Sequence, residues 1–190
     1  MYGWNSERVR LVPVDFDRHF DNACEWINTP EQTAQLLAGD LPMSKLAERE
    51  WFDRVAKGTD TEILFAIETI HGEHIGFSGI HHINRIDGFA TSGSYIGKQE
   101  LWGQGLGTEA SILRARYAFD VLGLRMLLSG FIGDNQRSKR MQEKVGYEVV
   151  GVIPGKYWKR GGFRDETLTV LTRERFFSLH GESGFPFRLP

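Results

Sequence analysis

Three glycines at alternate positions make Gly103-Gln104-Gly105-Leu106-Gly107 the run with the clearest chemical potential in this chain. Such a turn leaves its backbone N–H groups unobstructed, and a helix starting there adds unpaired N–H groups and the positive end of its dipole. It can hold a phosphate or pyrophosphate, or it can serve only as a tight strand-to-helix connection. A P-loop would need Lys-Ser/Thr after the last glycine; Thr108-Glu109 stand there instead, so its lysine and magnesium ligand are missing. Gly105-Leu106-Gly107-Thr108-Glu109-Ala110 does satisfy the dinucleotide pattern Gly-x-Gly-x-x-Gly/Ala. A Rossmann domain, however, places that turn after its first strand, and only about two strands and one helix follow it here.

Other residues have two readings each. Asn135 and Ser138, three apart, share one helical face, where they either cap and solubilise the helix or present polar groups to a ligand. His81 and His82 end an alternating run, so one points inward and one outward. A neutral imidazole suits a general base near pH 7, and a satisfied structural histidine is the plainer alternative. In Lys156-Tyr157-Trp158-Lys159-Arg160, Tyr157 and Trp158 either clamp a substrate or fill a core beneath a solvated cationic loop. His71 and His74 flank a turn without a cysteine or third ligand nearby, so no metal site is expected. Cys24 lies on an apolar stripe and reads as a small buried hydrophobe.

These residues need a scaffold, and the hydrophobic periodicity supplies one. Residues 8–14 alternate as a first strand until Pro13, and Asp15 or Asp17 caps a helix with Phe20, Ala23, Cys24 and Ile27 on its inner stripe. A second helix spans about 44–57, with Leu46, Trp51, Phe52 and Val55 as its apolar set. Runs at 62–70, 74–83 and 89–97 form an antiparallel meander. The glycine turn then opens a helix to about Leu122, anchored through Leu106, Ala110, Leu113, Tyr117 and Val121. A strand at 126–132, a basic helix at 135–145 and strands at 147–153 and 166–172 complete the pattern, with no internal repeat. Residues 1–178 are expected to form one domain and 179–190 a loose tail.

That order of elements, with Tyr95-Ile96-Gly97, Leu101-Trp102-Gly103-Gln104-Gly105-Leu106-Gly107-Thr108-Glu109-Ala110, Asp134-Asn135-Gln136-Arg137-Ser138 and Lys144-Val145-Gly146-Tyr147-Glu148, resembles the Gcn5-related N-acetyltransferases (GNAT), in particular the RimJ/RimL branch of ribosomal-protein alanine acetyltransferases. The resemblance covers about residues 8–172. It implies an α/β (α+β) GNAT fold: a mixed, mostly antiparallel sheet, splayed at its centre and flanked by helices, with acetyl-CoA in the V-shaped opening. It implies transfer of an acetyl group from acetyl-CoA directly to a primary amine. By the same resemblance Tyr95, Ile96, Gln104, Gly105, Leu106, Gly107, Thr108, Asn135 and Ser138 contact acetyl-CoA, and a backbone N–H near 94–96 polarises the thioester carbonyl. Relatives of this branch place a hydroxyl near the cofactor sulfur where this chain has Ser138, which the resemblance therefore implies as the acid that protonates the leaving thiolate; the tyrosine that other relatives use four residues later is Gln142 here. His82 is the candidate base, and Tyr157 and Trp158 form a substrate wall. The family often has Gln or Arg where this chain has Trp102, although an aromatic is common in this branch.

The acceptor implied is a protein N-terminal α-amine; acetyltransferases of polyamines, antibiotics or aminoacyl nucleotides share the pattern, as would a non-catalytic acyl-CoA-binding module. A small amine would call for carboxylates such as Glu31, Asp40 or Asp53 around a closed pocket. The family's habit makes a homodimer an open expectation. The remaining priors agree with a cytoplasmic enzyme. The 190 residues carry 23 Lys+Arg against 25 Asp+Glu, a net charge of −2 that offers no basic footprint for nucleic acid or an anionic membrane. One cysteine allows no internal disulfide, no apolar run approaches a membrane span, and the first residues do not read as a signal peptide.

Overall fold

In the computed structural model, which describes residues 4–37 and 40–181, the strands assemble into one eight-stranded sheet. β1 (Trp4–Asn5) and β2 (Val9–Pro13) lead, and the meander follows as β3 (Ile63–Thr69), β4 (His74–Asn84) and β5 (Phe89–Ile96). β6 (Met126–Ile132), β7 (Glu148–Lys159) and β8 (Gly162–Thr172) complete it in the order β1-β2-β3-β4-β5-β6-β8-β7. Every neighbouring pair is antiparallel except β5 and β6.

The parallel pair determines where a ligand can enter. β5 and β6 are in register only from Phe89–Thr91 against Met126–Leu128. Beyond those three pairs β5 continues to Ile96 and β6 to Ile132 without pairing, so the sheet opens as a wedge. Each bank stays rigid because its outer edge is paired: β5 with β4 and β6 with β8 along its whole length.

The helices cover both faces. α1 (Phe16–Ile27) is capped by Asp15, whose side chain accepts from the Arg18 N–H; α2 (Pro30–Thr33) is a single turn; α3 (Lys45–Ala56) is capped by Ser44. α1 and α3 bury Phe20, Trp26, Phe52 and Val55 against Ala66 and Phe77 on one face of the sheet. On the other face α4 (Leu106–Asp120), α5 (Gln136–Val145) and α6 (Arg173–His180) enclose Ile80, Phe119, Leu127, Leu171 and Phe176.

Several expectations need correcting. The last two strands form a hairpin much longer than the alternating cores at 147–153 and 166–172, because past a register shift between Ile153 and Tyr157 the expected loop pairs as Tyr157↔Arg164, Trp158↔Phe163 and Lys159↔Gly162. Residues 179 and 180 belong to α6, where Phe176 is fully buried, while 182–190 of the expected tail lie outside the described residues. Val121 is half-exposed past the end of α4, and Leu46 points to solvent; the inner stripe of α3 is Glu48, Phe52 and Val55. On α1 the buried stripe is His19, Phe20, Ala23 and Trp26, with Cys24 only half-buried. Among the described residues no helix is long and apolar enough to cross a membrane.

Candidate active site

The wedge widens into a cleft of about 770 Å³ that runs from the glycine turn, between β5 and β6, to the inner side of α1 and α3. At one end Gly103 and Gly105 hold φ of +79° and +87°, left-handed backbone that L side chains rarely adopt, and Gly105 is the N-cap of α4. The Thr108 and Glu109 N–H groups return to the Gly105 carbonyl at 3.0 and 3.1 Å, which leaves the Leu106 and Gly107 N–H groups at the helix mouth. Arg8 clamps the turn to the sheet: Nη1 donates to the Gln104 carbonyl at 2.9 Å, and the guanidinium pairs with Glu109. Arg137, stacked 3.8 Å above the Trp102 ring, lies with Arg140 and Lys144 along the same bank, and none of the three has a carboxylate within ion-pair distance among the described residues. Free N–H groups, a helix N-terminus and unpaired cations fit a phosphate-bearing cosubstrate.

Along β5 the Gly97 N–H bonds the Ile75 carbonyl, so by strand alternation the backbone groups of residues 92, 94 and 96 face the wedge. The Ile96 carbonyl is taken by the Trp102 indole N–H at 2.7 Å, which leaves the Ser94 and Ile96 N–H groups as donors along that edge. On the opposite bank the Asn135 side chain caps α5 by accepting from the Ser138 N–H at 3.0 Å. Ser138 Oγ lines the cleft and accepts from Gln142 Nε2 at 3.3 Å; the same amide reaches the Gly130 carbonyl, and Thr169 Oγ1 donates to Gln142 Oε1 at 2.5 Å. Gln142 is buried, so this network fixes where the hydroxyl sits and leaves its proton free to point into the cleft.

The far end is apolar and aromatic, with Trp51, Leu64, Phe77 and Tyr95 lining it. Among them lies Glu48, 4% exposed, whose carboxylate has no hydrogen bond or ion pair among the described residues. Burial pushes its carboxyl above the ordinary range. Burial, helped by Glu48, likewise pushes the Tyr95 phenol up, so the ring remains neutral. His81 also lines this part; its Nδ1 bonds Glu62 at 2.8 Å, and its ring lies over Gly79, where a Cβ would fall 2.2 Å from Nε2. Burial opposes ionisation of Glu62, but hydrogen bonds from His81 and Arg54 outweigh it and hold the carboxyl below its usual range.

The structure thus brings Tyr95, Ile96, Gly105, Leu106, Gly107, Thr108, Asn135 and Ser138 to one cleft. Gln104 is not among the lining residues: its side chain donates to the Glu100 carbonyl and its own carbonyl is held by Arg8. His82 is corrected as an inward base, because the β4–β5 register shifts between His81 and Asn84 and turns it to φ +51°, exposed and bonded to Thr91 Oγ1. Tyr157 and Trp158 do not line the cleft either; the extended hairpin carries them outside, with Tyr157 donating to Glu166 and Trp158 beside Asp40 and Arg160 in a shallow depression. Glu31, Asp40 and Asp53 are likewise absent from the cleft wall. Glu48 was missed, yet its i, i+4, i+7 spacing with Phe52 and Val55 places a carboxylate on the inward stripe. No group of three or more potential metal ligands occurs among the described residues.

Residues 8–148 match the family described as acetyltransferase (GNAT) domain. The fold is similar to that of spermidine N-acetyltransferase from Vibrio cholerae, solved with CoA and spermine, at 16% identity over 90% of this chain and 99% of that one (TM-score 0.83). It is similar to a GCN5-related N-acetyltransferase from Brucella melitensis at 22% identity, covering 93% and 81% of the two chains (TM-score 0.73). A candidate ribosomal-protein-serine acetyltransferase from Vibrio cholerae matches at 16% identity over 90% and 97% (TM-score 0.70).

Proposed function

Because this chain belongs to the GNAT acetyltransferase domain family, an N-acetyltransferase fold with acetyl-CoA as cosubstrate, we propose that it transfers acetyl directly to the α-amine of a polypeptide N-terminus. The observation that carries this reading is one continuous cleft that joins an anion-binding turn, a positioned hydroxyl at Ser138 and a buried carboxylate at Glu48.

The glycine turn and the cations of α5 take the phosphates of CoA, and the thioester arm lies along the wedge edge of β5. There a Ser94 or Ile96 N–H stabilises the negative charge that grows on the thioester oxygen. The incoming ammonium gives one proton to Glu48, whose raised carboxyl pKa makes it a stronger base than a solvated carboxylate. The freed lone pair attacks the carbonyl carbon; the C–N bond forms and the C–S bond breaks. Ser138 gives its proton to the departing sulfur and recovers it, through cleft water, from the nitrogen. The net products are the amide, CoA thiol and one proton released from Glu48 to solvent. Nothing in a purely acyl-CoA-binding module calls for the Ser138–Gln142–Thr169 network or for a partnerless carboxylate.

The test is thiol release from acetyl-CoA with a set of short peptides, alongside thermal shift with acetyl-CoA. Peptide-dependent release and amide formation support the reading. Stabilisation without release for any amine would reduce the protein to a binding module, and absence of both would overturn the assignment of the turn. The reading includes a homodimer, supported by the exposed apolar side chains of Val149, Val150, Val152 and Ile153 on edge strand β7; light scattering reporting a monomer would remove that part.

A further inference from the structure

We infer that the acceptor carries a single cationic amine on an apolar or aromatic body, and that Glu48 is the group that reads the amine. This rests on the transferase reading above and narrows it. Glu48 is the sole carboxylate among the described residues that line the cleft. Of the cations that line the cleft, Arg137, Arg140 and Lys144 go to the CoA phosphates in that reading, which leaves Arg114. Arg114 is itself 1% exposed and has no carboxylate partner among the described residues: it donates to Ser78 Oγ and the Tyr147 hydroxyl, and its Nε has no partner. A polyamine, with several ammonium groups, would find one carboxylate to meet and the fixed positive charge of Arg114 in the same cleft. Each further ammonium would be desolvated without a counter-ion.

The cleft that Glu48 lines has a large apolar and aromatic share: Leu36, Leu41, Met43, Trp51, Phe77 and Tyr95. These side chains give a hydrocarbon or aryl group a surface that excludes water, and Trp51 and Tyr95 offer ring faces to it. A carboxylate in such a setting, without an internal partner, is completed by an ammonium from outside. One charge plus an apolar body describes two sources, a small arylalkylamine and a polypeptide beginning with a large apolar residue. It does not describe a polyamine, an amino sugar or a peptide beginning with an acidic residue.

The experiment compares kcat/KM, by thiol release with acetyl-CoA at saturation, for 2-phenylethylamine, ethanolamine, spermidine and tetrapeptides beginning with Phe, Ser or Asp. The apolar monoamines should exceed spermidine and ethanolamine by about tenfold or more. Phe-first peptide above phenylethylamine identifies a polypeptide source, and the reverse a small amine. Spermidine or the Asp-first peptide in the lead overturns the inference while leaving the transferase intact, whereas no release with any amine defeats the transferase reading itself. Glu48→Gln should lower kcat/KM about a hundredfold for every amine, with the CoA-induced thermal shift unchanged, and Glu48→Asp should restore part of it. Trp51→Ala should narrow the gap between phenylethylamine and ethanolamine mainly through KM. If Glu48→Gln and Trp51→Ala leave the ranking and the rates as they were, neither residue reads the acceptor.

Discussion

Two glycines two residues apart should respond in opposite ways to the same methyl group. Gly105 sits at φ +87°, ψ −5°, so alanine there adopts left-handed backbone at about 1–2 kcal/mol. Its Cβ would also come 3.1 Å from Arg8 Nη2 and loosen the clamp on the Gln104 carbonyl. Gly107 lies inside the first turn of α4, and its Cβ would meet only Ile96 Cγ1 at 3.6 Å, an ordinary contact. Alanine at 107 loses none of the turn geometry and restricts the unfolded chain, a gain of roughly 0.5–1 kcal/mol. At about 2–4 °C per kcal/mol for this size, Gly105→Ala should melt about 2–8 °C below the parent and Gly107→Ala about 1–4 °C above it. The assay is scanning calorimetry of both variants with and without CoA. Gly105→Ala should bind CoA about tenfold more weakly, or about 1.4 kcal/mol, and Gly107→Ala, whose N–H is unmoved, should bind nearly as the parent does. A Gly105→Ala variant that melts at or above the parent, or binds CoA equally well, would refute both the strain and the role given to the turn.

Ser138→Ala should lower kcat by about one to two orders of magnitude with CoA affinity kept, since the network from Gln142 loses only its outermost hydroxyl; equal turnover in a stopped assay removes the acid. Phe119→Ala, at 1% exposure inside the core between α4 and α6, should cost about 3–5 kcal/mol in urea denaturation. His74 is pushed down to about 4 by burial and by neighbouring His19, so its contribution is complete above pH 6.5 and is lost as pH falls from there toward about 4. His74→Phe should flatten the stability curve in that window, by up to about 3 kcal/mol at its acid end. Glu68 is fully buried between Arg10, Arg18 and His19; burial opposes its charge, but these partners outweigh it and hold the carboxyl below the usual range. Its stabilisation is therefore present above the ordinary carboxylate pKa and lost on acidification through the lower folded value, and Glu68→Gln should destabilise by about 2–3 kcal/mol at neutral pH.

The elements that were legible in the sequence are those whose geometry is local. A cap at Asp15 or Asp17 for α1, Gly146 ending α5, and the three runs of the meander follow from side-chain chemistry within a few residues. The glycine turn was legible for the same reason, because φ above zero is a property of single residues. What could not be read depends on tertiary placement. Whether His81 or His82 faces the cleft hinges on a bulge in β4, and a bulge inverts the alternation from which inwardness is inferred. The Lys156–Asp165 segment looked like a loop because charges and glycines interrupt its alternation, yet an edge hairpin tolerates both. Glu48 lies on a charged helix; its i, i+4, i+7 spacing with Phe52 and Val55 was the signal available, and the packing of α3 against the sheet shows that its position belongs to the buried stripe.

The opening between β5 and β6 also gives this sheet two edges where a sheet ordinarily has none, in its middle. Edge strands recruit other strands, and proteins usually guard them at their margins. Here the amides at 94 and 96 are recessed between two banks, so a slender chain that can hydrogen-bond is what can reach them. The pantetheine arm of CoA has that character: it is a peptide-like chain, and under the proposed function it would stand in for the strand the fold omits. Hydrogen exchange should report this as protection spreading across both banks at once when CoA is added, although the two share only three residue pairs without it. On that reading the cosubstrate would be a structural member of the sheet for as long as it is bound, and turnover the periodic removal and replacement of that member.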